Sequence, residues 1–338
     1  MKTDSAGLFV GIDVGGTKVY AILAKPSGEI VARQRCSTPR DGSPNDVLLA
    51  MLQAVEDLLF QAGVEAEELA GVGLAVPGIC DVAAGRVAFT PNMNLTGVDV
   101  APWLEKRVRV PVALGNDVNL GTLGEKWLGA ARTAQSVVGI FVGTGIGGGI
   151  IFGDTLIEGH RGAAGEIGHI VMEIDGPLCG CGNRGCLEAI ASRTAIERDI
   201  RAAVAGGRKS AVTELAVGDL AVIRSGMLRK ALKKGDEVVM ETLGRAAKYL
   251  GHACLTVRHL LDPEVIVLGG GVMESCGDFV MPIVEKIMDA DALPGARGKA
   301  RVVPSALGDD AVALGAVFEA KKRLAAAPVK KHGRPKRK

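Results

Sequence analysis

The chain has 338 residues, of which 48% are hydrophobic and 23% charged, and its formal net charge is +2. This length and balance allow two sizeable globular domains, or one core with a deep cleft. The first residues lack the apolar segment of a secretion signal, and no apolar run is long enough to span a bilayer, so we expect a cytoplasmic protein with no membrane partner.

The first third of the chain predicts a small sheet followed by a helix. Apolar runs at 8–12 and 19–23, and a third run at 29–35, predict strands. The first two are joined by the turn Asp13-Val14-Gly15-Gly16-Thr17-Lys18. Ser43-Pro44-Asn45-Asp46 then has the N-cap serine and the N1 proline that are typical of a helix start.

The middle of the chain repeats this opening pattern. Strands are predicted at 72–76, 86–89 and 110–114, and Asn116-Asp117 begins a helix that runs to about residue 128. An apolar strand at 137–142 follows, then Gly143-Thr144-Gly145-Ile146-Gly147-Gly148-Gly149, then a short strand at 150–152. The two glycine turns lie roughly 130 residues apart in matching contexts, which indicates an internal duplication.

A third glycine turn closes a strand in the C-terminal part. The pattern predicts a helix at 237–261, a strand at 264–268 that ends in Gly269-Gly270-Gly271-Val272, a helix at 279–288, a strand at 300–303 and a helix at 309–324. Strand-end glycine turns can bind anions through backbone N–H groups, because no Cβ blocks the approach. None of the three is a Walker A loop or a Rossmann fingerprint. Asp13 in the first turn could hold Mg²⁺ through water.

The strongest motif lies between residues 166 and 188. Its ligand types and spacing predict a closed zinc site formed by His169, Cys179, Cys181 and Cys186. Glu166 and Glu188 flank the motif and offer carboxylates to a polar ligand. A disulfide is the disfavoured alternative, because a bridge between Cys179 and Cys181 would close a ring too small for relaxed geometry.

The end of the chain carries the positive charge. Residues 330–338 contain six Lys/Arg and no acid, so removing them takes the net charge from +2 to −4. We expect residues 326–338 to form a basic, disordered tail. Within it, Gly333-Arg334-Pro335 resembles the core of an AT-hook, but a solvated basic end is the favoured interpretation. Nucleic acid is therefore an expected partner only through this tail.

Together these motifs resemble the ROK family (repressors, open reading frames, kinases) of the sugar kinase/actin/Hsp70 superfamily, over about residues 8–326. The three glycine turns are similar to its two phosphate motifs and its adenosine motif. The resemblance implies two ribonuclease H-like (actin/hexokinase-type) α/β domains flanking a deep cleft. The small domain would comprise 1–117 plus about 309–325, and the large domain 118–308 with the zinc loop.

The resemblance also implies a role for each matching residue, with Asp117 as the catalytic base. Substrate binding would involve Gly78, Asn92, Asn116, Asp117, Glu166, His169 and Glu188. ATP would be bound by Asp13, Gly15, Gly16, Thr17, Lys18, Gly143, Thr144, Gly145, Gly270 and Gly271. His169, as a zinc ligand, would bridge the metal and the sugar through its two ring nitrogens. The helix dipole is expected to favour the carboxylate form of Asp117.

The resemblance thus implies an ATP-dependent kinase, with Mg²⁺ and structural zinc, that phosphorylates the 6-hydroxyl of a hexose. Glucose is the expected substrate. N-acetylmannosamine and N-acetylglucosamine stay open, because segment 91–99 lacks the aromatic residue of many family glucokinases. The rival class is a sugar-responsive transcriptional regulator or DNA-binding protein, but the first glycine turn begins too early to leave room for a preceding helix-turn-helix domain. A homo-oligomer, dimer or tetramer, is expected.

Overall fold

The computed structural model describes residues 7–39, 42–91, 93–217, 220–221, 223–293 and 300–326. The chain divides into two units, Met1–Gly115 with Ala316–Lys338, and Asn116–Gly315. The fold is mixed α/β, and each unit has one five-stranded sheet. The predicted basic tail lies, from residue 327 onward, outside the described residues. None of the described helices combines the length and apolarity that a membrane span requires.

The first unit is built on a sheet whose central strand is its first. In chain order its elements are β1 (Leu8–Val14), β2 (Lys18–Ala24), β3 (Ile30–Ser37), α1 (Pro44–Ala62), β4 (Leu69–Val76), β5 (Ile79–Asp81), β6 (Arg86–Phe89), α2 (Val100–Val108) and β7 (Val112–Asn116). The sheet order is β3-β2-β1-β4-β7. β1 pairs antiparallel with β2 and parallel with β4. As predicted, α1 starts at a capping box formed by Ser43 and Asp46.

The second unit repeats this sheet and adds most of the helices. Its elements are α3 (Asp117–Trp127), β8 (Ser136–Val142), β9 (Ile146–Phe152), β10 (Thr155–Leu156), α4 (Leu187–Ala191), α5 (Arg193–Ala205), α6 (Ala211–Leu215), α7 (Ser225–Lys233), α8 (Glu237–Leu261), β11 (Val265–Gly269), α9 (Gly271–Asp289), β12 (Arg301–Pro304) and α10 (Ala311–Ala326). The order β10-β9-β8-β11-β12 matches the first sheet position by position. This agreement supports the predicted internal duplication.

Two predicted starts differ most from the structure, and glycine is the reason in both cases. The second glycine turn ends at Gly145, and β9 already begins at Ile146, so Gly147, Gly148 and Gly149 are strand residues rather than turn residues. α9 begins at Gly271 and not at residue 279, because Gly270 has a φ of 87° and turns the chain directly from β11 into the helix.

The glycines of β9 let helix α3 approach the sheet closely. A Cβ on Gly147 would overlap the side chain of Val118, and one on Gly149 would overlap the hydroxyl of Thr122. Since any side chain at these two positions would push α3 outward, the glycines determine how near the start of α3 lies to the sheet. This start is where the predicted base, Asp117, is located.

The last helix, α10, packs by backbone contact. A Cβ on Gly315 would overlap the carbonyl of Leu120 in α3, and a Cβ on Gly73 in β4 would overlap the carbonyl of Ala316. The first turn of α10 therefore belongs to the second unit and the rest to the first unit. The unit boundaries lie at 115/116 and 315/316, whereas the sequence predicted 117/118 and about 309.

A buried carboxylate anchors the C-terminal end of α3. Glu125 is fully buried and accepts hydrogen bonds from the amides of Ala130 (2.7 Å), Ala306 (3.2 Å) and Leu307 (2.9 Å) and from the hydroxyl of Ser305 (2.6 Å). Such a group is stable in the interior only because all these donors converge on it. Glu125 therefore ties α3 to the segment that follows β12.

We predict that Glu125→Gln destabilises the fold. The amide NH₂ cannot accept, so at least one buried donor loses its partner, and the free energy of unfolding should fall by about 1–3 kcal/mol. Urea unfolding followed by circular dichroism measures this change. Glu214→Gln is the matched control, because Glu214 is an exposed partner of Lys234 and should change stability little. Equal stability of the two variants would contradict the assignment.

Candidate functional site

Four potential metal ligands converge in the loop between β10 and α4. The ligand atoms of His169, Cys179, Cys181 and Cys186 all lie within 4.8 Å of one another. The two sulfurs of Cys181 and Cys186 are 3.8 Å apart, and the Cys179 sulfur lies 3.6 Å from His169 Nδ1. Zn–S bonds of about 2.3 Å and a Zn–N bond of about 2.0 Å place tetrahedral ligands at about these separations. The cluster therefore fits a structural metal.

The three sulfurs of the cluster have different surroundings. Burial raises the pKa of Cys179 to about 12 and also raises the pKa of Cys186, whereas Cys181 is exposed and a hydrogen bond from the backbone of Asn183 lowers its pKa. A bound cation is the kind of partner that would hold such sulfurs as thiolates. The loop is closed by backbone bonds, from the amide of Cys179 to the carbonyl of Asn183 (2.8 Å) and from the amide of Gly182 to the carbonyl of Cys179 (3.0 Å).

His169 presents its second ring nitrogen away from the sulfurs. Nε2 lies 3.8 Å from the carboxylate of Glu166, while Nδ1 faces Cys179. Both side chains are partly exposed, at 31% and 47%. The ring is thus placed between the cluster and an acidic, accessible position, as the predicted double role of His169 requires. That role stays a prediction.

Asn116 and Asp117 lie where β7 passes into α3. Asn116 caps the helix, since its side-chain oxygen accepts from the amides of Val118 (2.9 Å) and Asn119 (3.0 Å). Asp117 is the first helical residue, and its carboxylate also accepts from the amide of Val118 at 2.9 Å. Capping therefore determines the direction of the Asp117 side chain.

The helix dipole alone would favour the charged form of Asp117 and lower its pKa, but the pKa is raised. Burial raises the pKa of Asp117 from 3.8 to about 6, and the negative charge of Glu166 adds to the rise. Hydrogen bonds from the backbone, first that from Val118, act in the opposite direction and are outweighed. A carboxylate with such a pKa is well matched to accept a proton near neutral pH.

The second glycine turn is an open anion cradle at the end of β8. The amide of Gly143 bonds the carbonyl of Gly145 at 2.9 Å, which closes the turn. Within the described part of the chain, the amides of Thr144 and Gly145 donate no hydrogen bond, and Thr144 is exposed. Two unused N–H groups on an exposed turn are suited to phosphate oxygens.

The other predicted residues of this unit gather around that turn. The carboxylate of Glu188 accepts from the amide of Ile146 at 3.0 Å, and Gly168 lies directly against the carbonyl of Ile146. A Cβ on Gly270 would lie 2.6 Å from the carbonyl of Val142, so the start of α9, which includes Gly271, adjoins the turn as well. Ile146 therefore connects the turn to the His169 loop.

The start of α5 also holds the turn, a role that the sequence did not indicate. The amide of Arg193 donates to the carbonyl of Gly143 (2.9 Å), and its guanidinium donates to the hydroxyl of Thr144 (2.8 Å). The hydroxyl of Thr194 donates to the carbonyl of Thr144 (2.7 Å). Ser192, the N-cap of α5, is the only local signal for this segment.

The remaining predicted residues lie in the first unit. Asp13 is near the end of β1, Gly15, Gly16 and Thr17 form the turn, and Lys18 begins β2. The amide of Gly15 donates to the carbonyl of Lys18 at 2.9 Å, and the hydroxyl of Thr38 donates to the carbonyl of Gly15 at 2.6 Å. Gly78 has a φ of 102° and lies against the carbonyl of Phe89. Asn92 lies outside the described residues.

Comparisons with known proteins agree on one family. The model of the ROK family matches residues 9–323. The glucokinase of Thermotoga maritima is 34% identical over 316 residues, which covers 93% of this chain and 98% of that protein. The glucokinase of Streptomyces coelicolor is 33% identical, with 92% and 96% covered. The crystal structure of a ROK family glucokinase from Streptomyces griseus, in complex with glucose and AMPPNP, has a TM-score of 0.84 at 31% identity and covers 94% of this chain and 100% of that one.

We predict that the purified chain retains about one equivalent of a tetrahedrally coordinated transition metal. Cys186→Ser should lose most of it, because Cys186 is a buried member of the cluster. Inductively coupled plasma mass spectrometry measures the metal. Cys276→Ser is the control, since Cys276 is also buried but lies outside the cluster. Metal content that is the same in both variants would contradict the ligand assignment.

Proposed function

We propose that this chain, which belongs to the ROK family, is an ATP-dependent kinase that phosphorylates the 6-hydroxyl of a hexose, with glucose as the preferred substrate. The similarity to glucokinases over more than nine tenths of the chain supports this proposal. The observation that carries it is the arrangement around Ile146. This residue joins the turn with unused amides to Glu188 and to the His169 loop, while Asp117 is influenced by the charge of Glu166.

The polar groups of the second unit match the chemistry of a sugar. A hexose presents hydroxyl groups, so selective binding requires fixed acceptors and donors rather than an apolar pocket. We assign this role in the second unit to Asn116, Glu166, His169 Nε2 and Glu188, while the sugar-binding roles of Gly78 and Asn92 stay predictions from the sequence. The metal cluster would orient His169, since the Nδ1 atom faces the sulfurs and leaves Nε2 for the sugar.

Asp117 is the proposed catalytic base. Its carboxylate would accept the proton of the 6-hydroxyl as the oxygen attacks the terminal phosphorus of ATP. Phosphoryl transfer passes through a loose transition state and mainly requires positioning and neutralisation of charge. A base with a pKa of about 6 is sufficient for this step, because it is largely ionised at neutral pH and still accepts a proton readily.

The phosphoryl donor is assigned to the glycine turns. The turn from Gly143 to Gly145 would bind phosphate oxygens, Gly270 and Gly271 the adenosine, and the turn from Gly15 to Thr17 with Lys18 further phosphates. Asp13 would hold Mg²⁺ through water, and Mg²⁺ would neutralise phosphate charge. We assign zinc to the metal cluster, because three thiolates and one imidazole are the ligands of a closed structural zinc site.

The setting of the protein follows from these assignments. None of the seven cysteines, all of them in the described part of the chain, forms a disulfide, which suits the reducing cytoplasm where ATP and hexoses are available. A homo-oligomer, dimer or tetramer, stays a prediction. N-acetylmannosamine and N-acetylglucosamine stay alternative substrates, and a sugar-responsive regulator stays the alternative of another class.

We predict ATP consumption in a coupled assay with glucose that exceeds the rate with mannose, N-acetylmannosamine or N-acetylglucosamine. Asp117→Ala should lower kcat by about 10²–10⁴-fold, because the general base is lost, while glucose binding measured by calorimetry persists. Asp154→Ala, an exposed acid in the same unit, is the control. A chain that binds glucose but consumes no ATP would contradict the proposal and favour a regulator.

We further predict an acid limb in the pH profile of kcat/KM. Asp117 is active when ionised, so the rate should fall as the pH drops through about 6, the pKa of that carboxyl. Glu166→Gln removes the negative charge that raises this pKa, so the limb should move to lower pH even if KM for the sugar increases. A limb that stays in place, or moves to higher pH, would contradict the role of Asp117 as base.

A further inference from the structure

One positively charged side chain, that of Arg193, is hydrogen-bonded to the glycine turn and has no role in the function proposed above. Arg193, the first residue of α5, donates from its amide to the carbonyl of Gly143 (2.9 Å) and from its guanidinium to the hydroxyl of Thr144 (2.8 Å). Its side chain is 31% exposed, so the guanidinium is held by the protein and is also accessible to a ligand. The bond to Gly143 comes from the backbone, so the bond to Thr144 is the contact that holds the guanidinium at the turn.

Arg193 pairs with a carboxylate of α5 that a second arginine also contacts. Its Nε lies 3.1 Å from Glu197, and Arg201 shares the same carboxylate at 3.6 Å. Glu197 is only 13% exposed, so this carboxylate is enclosed between two arginines. Two guanidinium groups and one carboxylate carry a net charge of +1. Glu197 therefore orients Arg193 along α5 without neutralising the cluster.

The two sides of the turn differ in charge. Glu188 contacts the turn where it enters β9, at Gly145 and through the amide of Ile146, whereas Arg193 contacts it at Thr144. The unused amides belong to Thr144 and Gly145. A polyphosphate on these amides would be repelled by the carboxylate and attracted by the guanidinium, whose planar N–H groups can pair with two phosphate oxygens at once.

We propose that Arg193 is a specificity residue for the phosphoryl donor, and that its guanidinium binds the outer phosphate oxygens of a nucleoside triphosphate. The inference rests on the proposed function, because that function assigns the turn to the donor. The same chemistry would also recognise an inorganic tripolyphosphate. The binding of adenosine and its first phosphate would not depend on Arg193. A residue that only supports Thr144 would instead affect the binding of both AMP and ATP.

The experiment measures binding to the full-length chain by calorimetry, with MgATP, AMP, tripolyphosphate and glucose as separate ligands. Arg193→Gln removes the charge, whereas Arg193→Lys keeps it. We expect Arg193→Gln to weaken MgATP and tripolyphosphate by about 10- to 100-fold, the loss typical of a hydrogen bond to a charged group. AMP and glucose binding should stay unchanged, and Arg193→Lys should recover most of the MgATP affinity.

Arg208→Gln is the matched control, because Arg208 is a partly exposed arginine that also pairs with a glutamate, Glu241, but makes no contact with the turn.

Equal losses for AMP and MgATP in Arg193→Gln would overturn the proposal and indicate a supporting role only. Unchanged MgATP affinity of Arg193→Gln in an active kinase would overturn this proposal alone. A wild-type chain that binds no nucleotide and phosphorylates no sugar would overturn this proposal together with the proposed function. Tripolyphosphate binding with no ATP binding would indicate an inorganic donor and would contradict the nucleotide assignment.

Discussion

Residues 186–194 connect the metal cluster to the glycine turn over nine positions. Cys186 contributes a sulfur to the cluster, Glu188 accepts from the amide of Ile146, and Arg193 and Thr194 bond the residues of the turn. The loop before this segment has little regular helix or strand, so ordering it costs conformational entropy, which backbone bonds such as that from Cys179 to Asn183 offset in part. A metal bound by the cluster would cross-link three side chains of this loop, those of His169, Cys179 and Cys181, to Cys186 and would offset more of that cost. The His169 loop and the glycine turn are consequently linked through this one segment.

The state of Asp117 is decided by a competition between two effects of its position. The start of α3 offers it backbone N–H groups and the positive end of a helix dipole, which is worth about 0.3–1 kcal/mol in exposed settings. Burial and the neighbouring Glu166 oppose this contribution and prevail, since the pKa is raised. Position in the helix therefore determines where the carboxylate points, while its surroundings determine how strongly it holds a proton.

The sequence predicts the parts of this fold that have a local pattern. Apolar runs identify β1 and β8, and the close spacing of the cysteines identifies the metal ligands, because all these signals lie within a few residues. β9 has no such pattern, since Gly147, Gly148 and Gly149 have no side chains, and its strand character comes from pairing with β8. Arg193 could not be predicted as part of the site, because its partner Thr144 is 49 positions away. The pKa of Asp117 likewise depends on three-dimensional surroundings that a one-dimensional pattern does not contain.

The glycines of β9 have a mechanical consequence for the second unit. Where side chains separate a helix from a sheet, the spacing changes as those side chains exchange between rotamers. At Gly147 and Gly149 the side chains of α3 touch the strand backbone itself, which has no such freedom. The contacts from α3 are made by Val118 and Thr122, which are β-branched and have restricted χ1 angles. The spacing between the start of α3, which carries Asp117, and the strand that follows the glycine turn should therefore vary little as side chains exchange between rotamers.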